Sequence, residues 1–242
     1  LTFPDSPSGR TRIDSVLMAQ KVKNVTGFEV MPHICCRDKN AIAMRSTFLG
    51  ASINGINNFL IITGDPIPVM ARQVVKSVFN FDSVGLMRIA DEMNSEALKD
   101  SPLTYGGAIN QSRRRIESEI KRVQKKMEAG AEFFLTQPVF TAEDAERLRR
   151  VKEETGARIL CGIMPLVSRK NALFMKNEIS GVNVTDEVIE RYPENADRED
   201  GENVGVELAK EMIAATRDFA DGYYFSFPFN RTYLLKRIIQ EV

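Results

Sequence analysis

The stretch Asn58-Phe-Leu-Ile-Ile-Thr-Gly-Asp-Pro-Ile-Pro68 decides how the rest of the chain is read. Its unbroken apolar run, β-branched and aromatic in character and closed by Gly64, is the pattern of a strand buried on both faces. Asp65 falls just past the strand's carboxyl end, where Pro66 and Pro68 forbid both further ladder bonding and an immediate helix. In a parallel α/β architecture, chemistry gathers at that end. Position alone leaves Asp65 equally readable as a solvated turn aspartate.

Before this stretch, Leu1-Thr-Phe3 reads as the tail of a strand, and Pro4 to Gly9 as a polar loop. A helix carrying Ile13, Leu17, Ala19 and Val22 should end near Gly27, with a strand over residues 28–33 and a helix over 39–52 after it. Beyond it come a helix over 81–93 and a strand over 103–109. A helix over 113–129 follows, with Ile116, Ile120, Val123 and Met127 on one stripe. A strand over 132–136 leads to Thr141-Ala-Glu-Asp144, which caps a helix running to 155; another strand spans 158–163. Residues 171–216 have room for two or three helices, broken by an acidic loop over 193–202. A strand over 223–227 and a closing helix over 231–241 complete the pattern.

This alternation, with crossovers long enough for parallel pairing, predicts an α/β fold, a (β/α)₈ TIM barrel with about seven of eight βα units present, as one domain over 1–242. The chain opens mid-strand without an initiator Met, so the first βα unit is expected upstream of Leu1. The competing fold is an open doubly wound sheet, but no Gly-x-Gly-x-x-Gly follows any strand. Gly50-Ala-Ser-Ile-Asn-Gly55 has P-loop spacing yet lacks the Lys and precedes a strand.

Among the 242 residues, 33 basic side chains balance 33 acidic ones, which gives no support for nucleic acid or an anionic membrane as partner. No apolar run reaches membrane-spanning length. Three cysteines, Cys35, Cys36 and Cys161, make no disulfide framework, which predicts a reducing cytoplasm.

Parallel strands would gather Asp5, His33, Asp65, Asn110, Gln137, Ser168 and Arg231 at their carboxyl ends, a polar set almost free of nucleophile–base pairs. His33 has no acidic neighbour in sequence. With Cys35 and Cys36 alternating across the strand and no Cys-x-x-Cys, metal ligation is disfavoured and no metal is expected. Gln137, like Asp65, ends an apolar strand before a proline. A carboxylate and an amide facing one cavity suit a ligand edge rich in N–H donors, such as a pterin's; Gln137 reads equally as a helix cap. Arg113, Arg114, Arg115, Lys121, Arg122, Lys125 and Lys126 make the 113–129 helix basic. That face is either solvated or turned to a diphosphate.

The motifs Pro32-His-Ile-Cys-Cys-Arg-Asp38, Ile62-Thr-Gly-Asp-Pro66, Lys125-Lys-Met-Glu-Ala-Gly-Ala131, Thr136-Gln-Pro-Val-Phe140, Gly162-Ile-Met-Pro-Leu166 and Asn230-Arg231 fall in one order along the chain. Together they resemble the methylenetetrahydrofolate reductase family of FAD-dependent barrels. Phe81-Asp-Ser-Val-Gly-Leu86 is most similar to reductases fused to a homocysteine methyltransferase domain. The resemblance implies FAD contacts from Thr2, Phe3, Asp5, His33, Thr63, Gly64, Asp65, Asp82, Asn110, Glu119, Arg122, Lys125 and Lys126. It assigns the catalytic and pterin-gripping roles to Asp65 and Gln137, and further folate contacts to Asn171 and Arg231.

The implied reaction passes hydride from NAD(P)H to the flavin, then to methylenetetrahydrofolate, with Asp65 stabilising a cationic iminium. The family's proton donor is a glutamate on the first strand, expected upstream of Leu1. Met175 stands where an aromatic side chain is usual, and Asn171 where Gln is common. Implied partners are a second copy of the chain or a fused or associated methyltransferase domain. Two other readings stay open: a non-catalytic barrel that binds FAD or folate, and a pterin-dependent methyltransferase barrel without flavin.

Overall fold

The computed structural model describes residues 1–179, 181–195 and 197–240. The strands are β1 (Thr2–Phe3), β2 (Met31–Cys35), β3 (Asn58–Ile62), β4 (Thr104–Ile109), β5 (Phe133–Pro138), β6 (Ile159–Ile163) and β7 (Gly222–Phe225). They form one sheet in the order β1-β2-β3-β4-β5-β6-β7, and every described register between neighbours is parallel. A doubly wound sheet reverses its order part-way along; this one does not. Sequential parallel order with a helical crossover after each strand is the topology of a (β/α)₈ barrel, seven of whose units lie here.

The chain packs as two compact units, residues 1–108 with 124–132, and residues 109–123 with 133–242. In the first unit the organising strand β3 buries Phe59, Leu60 and Ile61, as its continuous apolar run requires. Phe59 meets Phe48 of α2 (Ala41–Ser52) edge to face, with ring centroids 5.2 Å apart. Side-chain caps start the helices: Asp14 for α1 (Ser15–Thr26), Asn40 for α2 and Asp82 for α3 (Ser83–Ser95).

Two details differ from the expected pattern. Because Asp14 is the cap, Ile13 lies outside α1; it and Leu17 are exposed, and the helix buries Val16 and Ala19 instead. Gly27 closes α1 in the left-handed region (φ 70°), so the chain needs several residues to re-enter the sheet, and β2 begins at Met31 rather than at residue 28.

In the second unit, α5 (Ala142–Thr155) starts at the Thr141 cap as predicted. The stretch 171–216 holds α6 (Arg169–Glu178), α7 (Asp186–Glu190) and α8 (Arg198–Thr216). Much of the expected acidic loop is the first turn of α8: Asp197 caps it, and Glu199 and Asp200 sit where acids favour a helix N-terminus. Phe140, Leu166, Met175, Tyr192 and Leu208 join one buried cluster. The helix α9 (Leu234–Ile239) closes the described chain; its expected end at residue 241 lies outside the described residues. The helix α4 (Ile116–Glu128) begins three residues later than the basic run suggests, leaving Arg113 to Arg115 in the preceding turn. Its stripe of Ile116, Ile120 and Val123 is buried.

Candidate active site

In the first unit the segments after β1, β2 and β3 meet at the carboxyl ends of their strands. Asp65 is exposed, and its Oδ2 accepts a hydrogen bond from the Ser8 amide at 2.7 Å; its other oxygen has no donor among the described residues. Gly64, at φ 93°, brings this turn against β2: a Cβ there would lie 2.8 Å from Cys35 Cβ. Only glycine fits. Gly9, also left-handed, lets the Pro4–Gly9 loop close on Pro66 and Pro68, where a Cβ would lie 2.8 Å from each. Asp5 Oδ2 accepts from the Cys35 amide at 3.1 Å. Phe3 lines a hollow of about 320 Å³ with Pro4, Ile13 and Met18, while Thr2 is exposed on β1.

His33 is partly exposed as a residue, yet its Nε2 is shut from solvent and meets no partner. Burial pulls its pKa down to about 4, so the imidazole is neutral near pH 7. Thr63 Oγ1 accepts from the Ser83 amide at 3.3 Å, and Asp82 accepts from Gly85 N, so both side chains also start α3.

The residue that sequence reading passed over is Arg37, quoted in a motif and given no role. It is 2% exposed. Its guanidinium forks Asp38 (Nε to Oδ1 2.8 Å, Nη2 to Oδ2 2.6 Å) and also donates to the carbonyls of Asp65 (3.0 Å) and Ser6 (3.1 Å). Asp5, Cys35 and Asp38 bring three ligand-type atoms within 4.8 Å of one another. Arg37 already neutralises Asp38, the Cys35 amide occupies Asp5, and burial followed by the Asp5 charge pushes the Cys35 thiol up to about 12. The group is therefore built as a hydrogen-bonded brace rather than a cation site.

On α4 the two lysines separate. Lys125 is exposed, whereas Lys126 is buried and its Nζ donates to the Ala108 carbonyl at the end of β4. This half of the basic face is not solvated.

In the second unit, Glu119 of α4 is 2% exposed; its Oε1 accepts from the Asn110 amide at 3.0 Å and its Oε2 lies 2.9 Å from Arg113 Nε and 3.6 Å from Arg122 Nε. Asn110 Oδ1 in turn accepts from Ser112 N. Gln137 lies inside β5, not beyond it, where the pairing with β6 shifts register between Leu135 and Pro138. Gln111, another residue not singled out, is fully buried; its Nε2 donates to the carbonyls of Gln137 (3.0 Å) and Pro138 (3.2 Å).

Asn171 is buried and turned to its own loop, its Oδ1 accepting from Val167 N at 3.2 Å. Met175 packs in the apolar cluster. Arg231 lies 3.3 Å from the buried Glu202, which also accepts from Tyr233 (2.6 Å) and Arg198 (2.9 Å). Burial pushes the Glu202 carboxyl up, but the Tyr233 and Arg198 hydrogen bonds and the Arg231 charge outweigh it and hold the group below the usual carboxylate range.

A parallel seven-stranded α/β sheet with polar residues at its strand ends defines a barrel-type protein, and comparison with known proteins narrows it. The profile of the methylenetetrahydrofolate reductase family matches residues 2–241, and the chain belongs to that family. The 5,10-methylenetetrahydrofolate reductase of Salmonella typhimurium is 24% identical over 174 residues, 71% of this chain and 55% of that one. Its counterpart from Buchnera aphidicola subsp. Schizaphis graminum is 25% identical over 169 residues, 69% and 54% respectively. The chain spans about half the length of these curated relatives.

Among solved structures, an uncharacterized protein from Clostridium thermocellum that binds two copies of 5-methyl-5,6,7,8-tetrahydrofolic acid aligns with TM-score 0.56 at 16% identity, over 99% of this chain and 92% of that one. A 2,3-dimethylmalate lyase aligns with TM-score 0.52 at 14% identity, over 97% and 66%. These two likenesses speak to the fold.

Proposed function

We propose that the chain carries the flavin- and folate-binding part of a reductase that converts 5,10-methylenetetrahydrofolate to 5-methyltetrahydrofolate, with FAD as cofactor and NAD(P)H as hydride donor. The observation that carries this reading is the family match over residues 2–241. The folate bound by the Clostridium thermocellum protein of like fold is consistent with it. Three free, buried thiols support a reducing compartment, the cytoplasm, and no helix among the described residues is long and apolar enough to cross a membrane.

Taken unit by unit, the residues assigned to a flavin dinucleotide have the chemistry its parts require. His33 Nε2 is a sequestered polar atom without a partner, and Arg122 Nε makes no hydrogen bond beyond its 3.6 Å ion pair with Glu119. Lys125 offers an exposed ammonium one residue before the buried Lys126. Thr2, Phe3, Asp5, Thr63, Gly64 and Asp82 in the first unit, and Asn110 and Glu119 in the second, complete the assignment. FAD, when bound, supplies a two-electron carrier between the nicotinamide and the folate.

The chain's own groups do the rest. His33, neutral near pH 7, meets a polar ligand atom without adding charge. Lys125 and Arg122 offset diphosphate charge. Asp65 accepts N–H groups of the pterin edge through its open oxygen, and its negative charge stabilises the cationic carbon–nitrogen bond that forms as the folate's five-membered ring opens. Gln137 offers the pterin a donor and an acceptor. Arg231, held by Glu202, and Asn171 are assigned to the rest of the folate.

Stopped-flow absorbance on the full-length protein tests the reading. Bound flavin should bleach on mixing with NADH or NADPH and recover its colour on mixing with methylenetetrahydrofolate. Flavin that bleaches and never recovers would favour a non-catalytic module, and folate binding to a colourless protein that takes up no FAD would favour the methyltransferase barrel.

A further inference from the structure

Asp65 sits on an exposed turn, a place where a carboxylate ordinarily wanders, yet catalysis by charge requires it to be held in one position. Its backbone is held from beneath. The Arg37 guanidinium reaches the Asp65 carbonyl with Nη1 and the Ser6 carbonyl with Nη2, while Asp38 fixes the guanidinium plane through two hydrogen bonds. Arg37 thereby ties the segment after β1 to the segment after β3, and Ser8 of the first segment donates to the Asp65 carboxylate itself. The Arg37 carbonyl also accepts from Val78 N at 2.8 Å, so one residue holds both ends of the long connection between β3 and α3.

We propose that Arg37 is the positioning residue of the site: a buried strut that fixes the Ser8–Asp65 contact and so sets the direction of the Asp65 carboxylate. The kinetic consequence rests on the reductase reading; the structural one does not. A planar fork with several N–H donors is required, because a lysine is a point donor that cannot hold Asp38 and two carbonyls in one plane. An apolar side chain would leave two carbonyl oxygens without their donor.

The test uses Arg37→Lys and the double variant Arg37→Met/Asp38→Asn, which removes the buried cation together with its counter-charge. The first measurement is amide hydrogen exchange. At Ser8 and across residues 63–68 exchange should accelerate about tenfold or more in both variants, with the amides of α5 unchanged. The second is the folate half-reaction of the flavin-loaded protein, which should slow about tenfold or more while hydride uptake from NAD(P)H changes less than about threefold. In an Asp65→Asn background the same substitutions should add less than about threefold, because residues that act through one another are not additive.

Unchanged exchange at Ser8, or a fully additive loss with Asp65→Asn, overturns the proposal. If the native protein reduces no folate, the reductase reading falls and the exchange measurement alone decides the strut. If the double variant does not fold, Asp38→Asn, a change at a partly exposed side chain, must by itself loosen Ser8; native-like protection there overturns the strut.

Discussion

At the scale of single residues, Asp65 and His33 are the two side chains whose environment says most about chemistry. Asp65→Asn preserves shape and leaves the Gly64 and Pro66 geometry intact, so the variant should fold and take up flavin. Under the proposed reductase function its amide would not stabilise positive charge on the folate, and the folate half-reaction should slow by about 10²-fold or more, with hydride uptake from NAD(P)H retained or faster. Stopped-flow measurement of each half-reaction separates this from general damage, which would slow both alike.

For His33, the folded pKa of about 4 lies below the unfolded value of 6.5. Between those values the unfolded chain binds a proton that the folded chain excludes. Stability is therefore fully kept above about pH 6.5 and falls as the pH drops toward 4. At pH 5 the cost is about 2 kcal/mol relative to pH 7. His33→Asn should remove that part of the pH dependence, read as a smaller difference between urea midpoints at pH 7 and pH 5.

At the scale of elements, α8 is fixed by absence of side chains. A Cβ at Gly205 would overlap the Leu166 carbonyl oxygen, and one at Gly201 the Val167 carbonyl oxygen, so the helix lies directly on the segment that follows β6. This contact places Glu202, between the two glycines, against Arg231. Gly205→Ala should cost about 1–3 kcal/mol through forced displacement. Gly50→Ala in α2, where nothing lies within 4 Å of the added Cβ, should instead stabilise by about 0.5–1 kcal/mol. Urea unfolding of the two variants checks the opposite signs.

On α4, Lys125→Ala tests the proposed diphosphate contact alone, whereas truncating Lys126 also strips a buried donor from the Ala108 carbonyl. Lys125→Ala should weaken FAD binding by about tenfold, the usual worth of one charge-assisted contact, with the unfolding midpoint of the flavin-free protein unchanged.

At the scale of the whole molecule, a ligand that binds only the folded chain must stabilise it by mass action. FAD at about one hundred times its dissociation constant should add about 2.7 kcal/mol, visible as a concentration-dependent rise in thermal midpoint. Adenosine diphosphate alone should give a smaller rise, since it lacks the ring system assigned to His33. A flat midpoint across FAD concentrations would remove flavin from the proposed function.

Whereas the caps at Asp14, Asn40 and Asp82 came from the structure, the sequence by itself determined the order of strands and helices, the cap at Thr141 and the left-handed stop at Gly27. These are local signals: apolar periodicity, a short polar side chain before a helix, a residue without a Cβ after one. Asp65 and Gln137 stood out as candidates because each interrupts an apolar run beside a proline.

Only the tertiary structure decided what Arg37, Gln111, Lys126 and Glu202 do. Each is a polar side chain with at least one partner 18 or more residues distant, as in Lys126 to Ala108, Gln111 to Gln137, Arg37 to Ser6 and Glu202 to Arg231. In sequence a buried arginine and a solvated one are the same letter. The difference is made by which unpaired carbonyls the fold brings within reach, because a charged group enters the interior only where hydrogen bonds replace the water it loses.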